Sequence, residues 1–240
     1  MAVGHLFECS TSLSRRRAHR RGRRGFTLIE TSLALIIIAV GVLALVEAQQ
    51  AFIKSNDWSS HAATANYLAN EIRELTRRLP NHDPVTGLYF EGNAATGTLR
   101  GWGPDGGETL LEDFDDVDDF DGLVLSWTGT AGLADSDLPG PVDAFGAVIP
   151  EIGNDGAVVL DANGQPQPLR GWSQRVRVVK VNPFDPSIEY PSDQVLASQA
   201  NGFTGLDVDE FPLKISVDVF FRGVFDTEDT LVTTVTWIKP

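Results

Sequence analysis

The stretch Arg23-Arg24-Gly25-Phe26-Thr27-Leu28-Ile29-Glu30 decides how the chain is read. An arginine-rich segment ends at a glycine. A phenylalanine then opens a long apolar run, and one carboxylate lies five residues into it. The segment before Gly25 has the character of an address. The segment after it has the character of a membrane-length helix that carries a domain.

Charge is divided in the same place. Residues 1–25 hold seven arginines (15, 16, 17, 20, 21, 23 and 24) and one acid, Glu8, a formal charge of +6. The remainder has 12 basic and 32 acidic residues, a formal −20. Such a body repels nucleic acid and anionic membrane, and the basic segment has neither stacking aromatics nor a reading fold, so no nucleic-acid partner is expected. The one cysteine, Cys9, lies in the basic segment. The rest of the chain therefore offers no thiol for zinc, iron–sulfur or nucleophilic chemistry.

From Phe26 to Val46 there are 21 residues, and Glu30 is the only charged one. About 20 helical residues cross a hydrocarbon core. The arginines lie on the N-terminal side and the first cation after the run is Lys54, so the N-terminus is expected in the cytoplasm and the acidic body outside it. Two readings compete. Arg23-Arg24-Gly25-Phe26 resembles a twin-arginine signal, and Val46-Glu47-Ala48 has the small-residue character of a signal-peptidase cut. Against this, the run exceeds the 7–15 residues of a signal-peptide core. A carboxylate inside it also calls for a purpose.

The helical pattern continues past Val46. Ala65, Leu68, Ile72, Leu75 and Leu79 recur at spacings of three and four, while Glu71, Arg73, Glu74, Arg77 and Arg78 largely fill the other faces. No proline falls between Phe26 and Leu79, and Pro80 ends the pattern. A helix over 26–79 would be roughly 80 Å long at about 1.5 Å per residue. Its weakest section is 51–62, where Ser55-Asn56-Asp57 and Ser59-Ser60 are poor helix formers. Its first half is apolar all round. Its second half is apolar on one side and needs a soluble surface to pack on.

Gly25-Phe26-Thr27-Leu28-Ile29-Glu30, followed by a membrane-length helix that becomes amphipathic, resembles the prepilin motif of type IV pilins and type II secretion pseudopilins. The run from Ala34 to Leu45 with Gln49 is similar to PilV-type minor pilins and I-type minor pseudopilins. The resemblance covers about residues 22–79. It implies a cleaved basic leader (1–25), a transmembrane half-helix (26–46), an amphipathic half-helix (47–79) and an acidic, β-rich pilin-like domain (80–240). It implies that prepilin peptidase cuts between Gly25 and Phe26 and that Phe26 is then N-methylated. It further implies that the Glu30 carboxylate pairs with an N-terminal amine during assembly. The partners implied are the peptidase, other pilin or pseudopilin subunits, the membrane and an inner-membrane assembly platform. The leader is long for this family, and Glu47 stands where many major pilins have a helix-kinking proline, which favours a minor subunit.

Residues 80–110, rich in Gly, Asn, Pro and Thr, read as a long loop. Then come Glu112-Asp113-Phe114-Asp115-Asp116-Val117-Asp118-Asp119-Phe120-Asp121, seven acids in ten residues. One reading is a calcium site on Asp115, Asp116, Asp118, Asp119 and Asp121, since calcium takes clustered oxygen ligands, although the EF-hand spacing fails. The other is a solvated acidic turn with Phe114, Val117 and Phe120 packed inward. Strands are expected at 123–128, 172–181, 213–221 and 231–238, and more weakly at 142–149 and 157–160. Residues 161–164 read as a turn, 222–230 as the link of a final hairpin, and 182–210 as another long loop. The sum is α+β: a long N-terminal helix whose amphipathic half packs on an antiparallel sheet.

No catalytic pattern stands out. His5, His19, His61 and His82 lack metal-ligand spacing, and neither a Gly-x-Ser-x-Gly elbow nor a His-Glu-x-x-His helix occurs. The acids leave room for a paired-carboxylate hydrolase. Trp102, Trp127, Trp172 and Trp237 suit either a sugar-binding face or a core. The expectation is a structural subunit, not an enzyme. The alternatives are an exported binding domain cut near Ala48 and a membrane-tethered enzyme.

Overall fold

The computed structural model describes residues 27–92, 97–130, 137–200 and 202–240. Helix α1 runs from Leu28 to Thr76 without interruption, including the serine- and asparagine-bearing section at 51–62. The chain divides into two compact units, Met1–Ile53 and Lys54–Pro240.

In the first unit every described residue is exposed, and the exposed set includes Leu33, Ile36, Ile37, Ile38, Val40 and Leu43. Water is a poor solvent for such a surface. The helix is long and apolar enough to cross a membrane.

In the second unit, α1 buries Ala65, Leu68, Ala69, Ile72 and Thr76, which are spaced at three and four along one face. The surface they meet is a mixed sheet of β3 Val124–Ser126, β4 Leu138–Pro139, β5 Trp172–Asn182, β7 Leu213–Phe221 and β8 Thr230–Lys239, in the order β4–β3–β5–β7–β8. Only the β3–β4 pair is parallel. Strand β6 (Asp185–Tyr190) pairs with the C-terminal end of β5. Alternation sets the faces. Leu213, Ile215, Val217 and Val219 of β7 are buried, opposite Lys180, Val178, Val176 and Gln174 of β5. Thr233, Val235, Trp237 and Lys239 continue these rows on β8.

Polar groups fasten the helix to the sheet. Gln174 is fully buried, donates to the carbonyls of Leu68 (2.8 Å) and Val142 (3.2 Å), and accepts from the Val142 N–H (2.9 Å). Lys239 donates to the Thr76 and Leu79 carbonyls, placing a cation where helix carbonyls run out of partners.

Two stretches expected to be loops are ordered. Within 80–110, β1 (Tyr89–Glu91) pairs with β2 (Thr98–Arg100). Within 182–210 lie β6 and a bridge between Leu196 and Leu206. The weaker strands expected at 142–149 and 157–160 form isolated bridges only, and the chain over 150–168 closes into a small ring. Glu151 N–H donates to Gln167 O, Gln167 N–H to Val159 O, and Val159 N–H to Glu151 O. The spacing is eight residues, and Gly156 and Gly164 (φ +79° each) turn the chain between the segments. The ring returns to β5 through Gly171 (φ +82°), where an added Cβ would lie 2.5 Å from the Arg222 carbonyl.

Replacing Gln174 by Leu leaves the buried Val142 N–H without its acceptor, and should cost about 1–3 kcal/mol. Leu68→Ala should cost about 2–5 kcal/mol through cavity formation. Denaturant melts of the two variants check both values. Wild-type stability in both would mean that this face of α1 does not hold the sheet.

Candidate functional site

The N-terminal site is built on the first turn of α1. Thr27 precedes the helix, and its hydroxyl accepts from the Glu30 N–H at 3.4 Å while its carbonyl accepts from the N–H groups of Glu30 and Thr31. Thr27 thus caps the helix, and Glu30 occupies the first turn, where a negative charge meets the positive end of the helix dipole. Glu30 is exposed and is followed by the apolar run. Gly25 and Phe26 lie outside the described residues.

Residues 20–46 match a family model described as the prokaryotic N-terminal methylation motif. The chain is type IV pilin-like. Its motif marks it as a prepilin-type substrate of prepilin peptidase, and the motif with its apolar helix indicates a membrane-anchored subunit with a structural role. No curated protein and no solved structure matches the chain.

The second candidate lies in the acidic segment of this pilin-like body. Phe114, Val117 and Phe120 are buried, as one reading of the segment requires. Three of the carboxylates are buried with them: Asp116, Asp118 and Asp119 are 2%, 0% and 3% exposed, so the segment is not a solvated turn. Oxygens of these three lie within 4.8 Å of one another. A second group joins Asp119 to Asp115 and Glu108.

Local hydrogen bonds explain the burial. Asp116 accepts from the Asp119 N–H at 3.1 Å, while Asp119 accepts from the N–H groups of Asp115 and Asp116 at 3.2 Å each. These reciprocal bonds wrap the short 3-10 turn Asp118–Phe120. Asp118 fastens the preceding segment, accepting from the Gly103 N–H (2.9 Å) and meeting His82 Nδ1 at 2.5 Å. His82 Nε2 is buried without a hydrogen-bond partner. Asp121 faces elsewhere. It accepts from Trp102 Nε1 (3.2 Å) and from the Val178 N–H (2.9 Å), filling the gap that β3 and β6 leave on one edge of β5.

Sequence reading missed His82, Lys180 and Glu108 as neighbours of this segment. Lys180 is fully buried on β5, donates to the Ser192 carbonyl, and lies 5.5 Å from the Trp102 ring and 5.4 Å from the Phe211 ring. Burial lowers its pKa to about 8, against the pull of Asp118. No local pattern signals these partners, since His82 and Asp118 are 36 residues apart. Trp102 and Trp237 pack against the core, and Trp172 is part of it.

Burial raises the Asp116 carboxyl to about 8, with Asp118 and Asp119 adding to the rise. Burial also raises Asp119 to about 7, with backbone N–H groups opposing it. For a carboxyl raised in the folded state, the stabilisation is complete below the ordinary pKa of about 3.9 and is lost as pH rises through the folded value. With a chelator present, stability should therefore fall between about pH 4 and pH 8, by up to about 1.4 kcal/mol per pH unit for each retained proton. Asp116→Asn should flatten this slope. Melts from pH 5 to 8 decide it, and wild-type stability that rises steadily across that range would contradict the assignment.

Proposed function

We propose that the chain is made as a prepilin with a leader of residues 1–25, cut between Gly25 and Phe26, and N-methylated on Phe26. It then assembles through its N-terminal helix as a minor subunit of a type IV pilus or a type II secretion pseudopilus. The helix over 26–46 anchors the subunit in the inner membrane with its N-terminus cytoplasmic, and the amphipathic half over 47–79 carries the body of residues 80–240. The observation that carries this reading is the methylation motif over residues 20–46 leading directly into an apolar helix with a carboxylate in its first turn.

Each part has a physical task. Glycine before the cut leaves the scissile peptide unobstructed. The apolar helix is stable in lipid because its backbone donors and acceptors are satisfied internally. Glu30 pairs with the amine of Phe26, commonly that of a neighbouring subunit, because a lone carboxylate in a dry bundle is costly. That pairing fixes axial register. The assembly platform and the peptidase are the remaining partners.

Calcium belongs to the same proposal at a different place. Asp116, Asp118 and Asp119 offer hard oxygen ligands, and a divalent cation would relieve the repulsion among three buried carboxylates. Asp115 and Glu108 adjoin them through Asp119, whereas Asp121 is committed to Trp102 and β5.

Mass spectrometry of membrane and filament fractions should find N-methylated Phe26 at the mature N-terminus. Gln49 there would show removal of the helix by a signal peptidase and end the pilin assignment. Glu30→Ala should be processed normally but enter filaments at least about tenfold less, given the several kcal/mol that an unpaired buried charge costs. For the cation, millimolar calcium should raise the melting temperature over chelator at pH 7.5, and Asp116→Asn should abolish the rise. An equal melting point with and without calcium would remove the site.

A further inference from the structure

We propose that the cleft lined by Trp127, Glu151, Arg170, Phe221, Arg222 and Asp226 binds a neutral saccharide. The cleft lies wholly in the second unit, so it is independent of how the N-terminal segment is processed or assembled.

Three separate segments build the cleft, and hydrogen bonds to their backbones tie them in place. Trp127 follows β3, and its N–H donates to the Trp172 carbonyl at the start of β5 (3.2 Å). Arg170 follows the ring over 150–168, and its N–H donates to Glu151 Oε2 (2.8 Å). Arg222 follows β7, and its N–H donates to the Gly171 carbonyl (2.8 Å). The Phe221 ring is fixed by contacts with Trp172 (4.8 Å) and His61 (4.2 Å). Asp226 folds back on its own loop and accepts from the Gly223 N–H (3.0 Å). The walls are therefore preformed, and they enclose about 450 Å³, a size that suits a small-molecule site.

The lining selects the ligand. Trp102 and Trp237 pack against the core and Trp172 belongs to it, whereas Trp127 does neither and stays half-buried at the cleft. Such an indole offers a flat apolar face with one polar N–H. Around it stand two carboxylates, Glu151 and Asp226, and two guanidinium groups, Arg170 and Arg222, so the lining has no net formal charge. An anion would meet the carboxylates and a cation the guanidinium groups. An apolar ligand would strip water from four charges without replacing it. Anionic glycans are further disfavoured, because the second unit, without Glu30 and Glu47, has 12 basic and 30 acidic residues. An extended peptide needs a free strand edge, and the Trp172 carbonyl and Arg222 N–H beside the cleft are already paired. A neutral sugar satisfies all four groups. Its C–H face covers the indole, and its hydroxyls donate to carboxylates and accept from guanidinium groups in charge-assisted hydrogen bonds. Arg170 is exposed and has no ion-pair partner among the described residues, whereas Asp229 holds Arg222 at 2.7 Å. The cleft beside Trp102 also combines aromatic and charged residues, but its groups are spent on one another: Trp102 donates to Asp121, and Arg177 holds Glu189 at 2.8 Å.

The test uses the full chain in a zwitterionic detergent without a sugar headgroup, titrated with cellotetraose, maltotetraose and chitotetraose. Binding is read on the sugar protons by saturation-transfer NMR. At least one of the three should bind at millimolar concentration. Trp127→Ala should weaken that binding at least about tenfold, as truncation of a central aromatic anchor does. Trp127→Phe should retain most of it. Arg170→Ala, at an exposed position, should weaken it several-fold with an unchanged melting temperature, and decides the question should Trp127→Ala fail to fold. Trp58→Ala, on the exposed side of α1, should change nothing. Failure of all three sugars to bind overturns the proposal, as does equal binding by the wild type, Trp127→Ala and Arg170→Ala. Tighter binding of trigalacturonic acid, or of a blocked tetra-alanine peptide, than of any neutral sugar also overturns it and assigns the cleft to an anion or a peptide.

Discussion

The body depends on keeping one face of α1 dry between Ala65 and Thr76. That helix cannot supply the second surface itself, and the three long strands supply it. The rows of β5, β7 and β8 that face it are apolar in the middle and carry polar residues at both margins, Lys180 and Lys239 beside Leu213 at one, Gln174 and Thr233 beside Val219 at the other. Polar atoms enter this interface only where a backbone group needs them. Gln174 serves Leu68 and Val142, and Lys239 serves the last helical carbonyls. Both are polar groups whose burial is offset by hydrogen bonds that only this helix position allows.

The acidic segment obeys the same rule with a different outcome for each carboxylate. Seven acids in ten residues look equivalent in sequence. Asp121 accepts two hydrogen bonds, one from an indole and one from a strand edge, and so acts as a substitute for a missing ladder partner. Asp118 is shared between His82 and Gly103 and ties a distant loop to the turn. Asp116 and Asp119 accept from backbone N–H groups of their own turn, and those bonds are too few to offset burial.

How much of this was legible in sequence depends on the range of the forces involved. The helix was readable because its signal is periodic and its terminator, Pro80, is local. Leu213–Phe221 was readable for the same reason, since one residue in two had to be apolar. Strands β1 and β6 were not, because β1 is only three residues long and β6 opens on the turn residues Asp185-Pro186-Ser187. The ring over 150–168 was hidden further, because prolines at 150, 166 and 168 argue against strands, yet each takes part in a bridge at a position whose neighbour supplies the N–H. The burial of Asp116 and Lys180 has no local signature at all. Lys180, for one, is enclosed by Ser192, Phe211 and Trp102, which come from three separate segments.

The two units make opposite demands on their surroundings, and the composition of each matches. From Leu28 to Ile53 every side chain is exposed, and an apolar surface of that length is poorly solvated by water. From Ala65 onward the helix is covered, and the body's excess acids suit water. A single carboxylate, Glu30, is the only charge in the membrane-length run, and it lies in the first helical turn. In water such a charge would be unremarked. In a low-dielectric medium the same carboxylate is costly unless an opposite charge lies within a few ångströms of it.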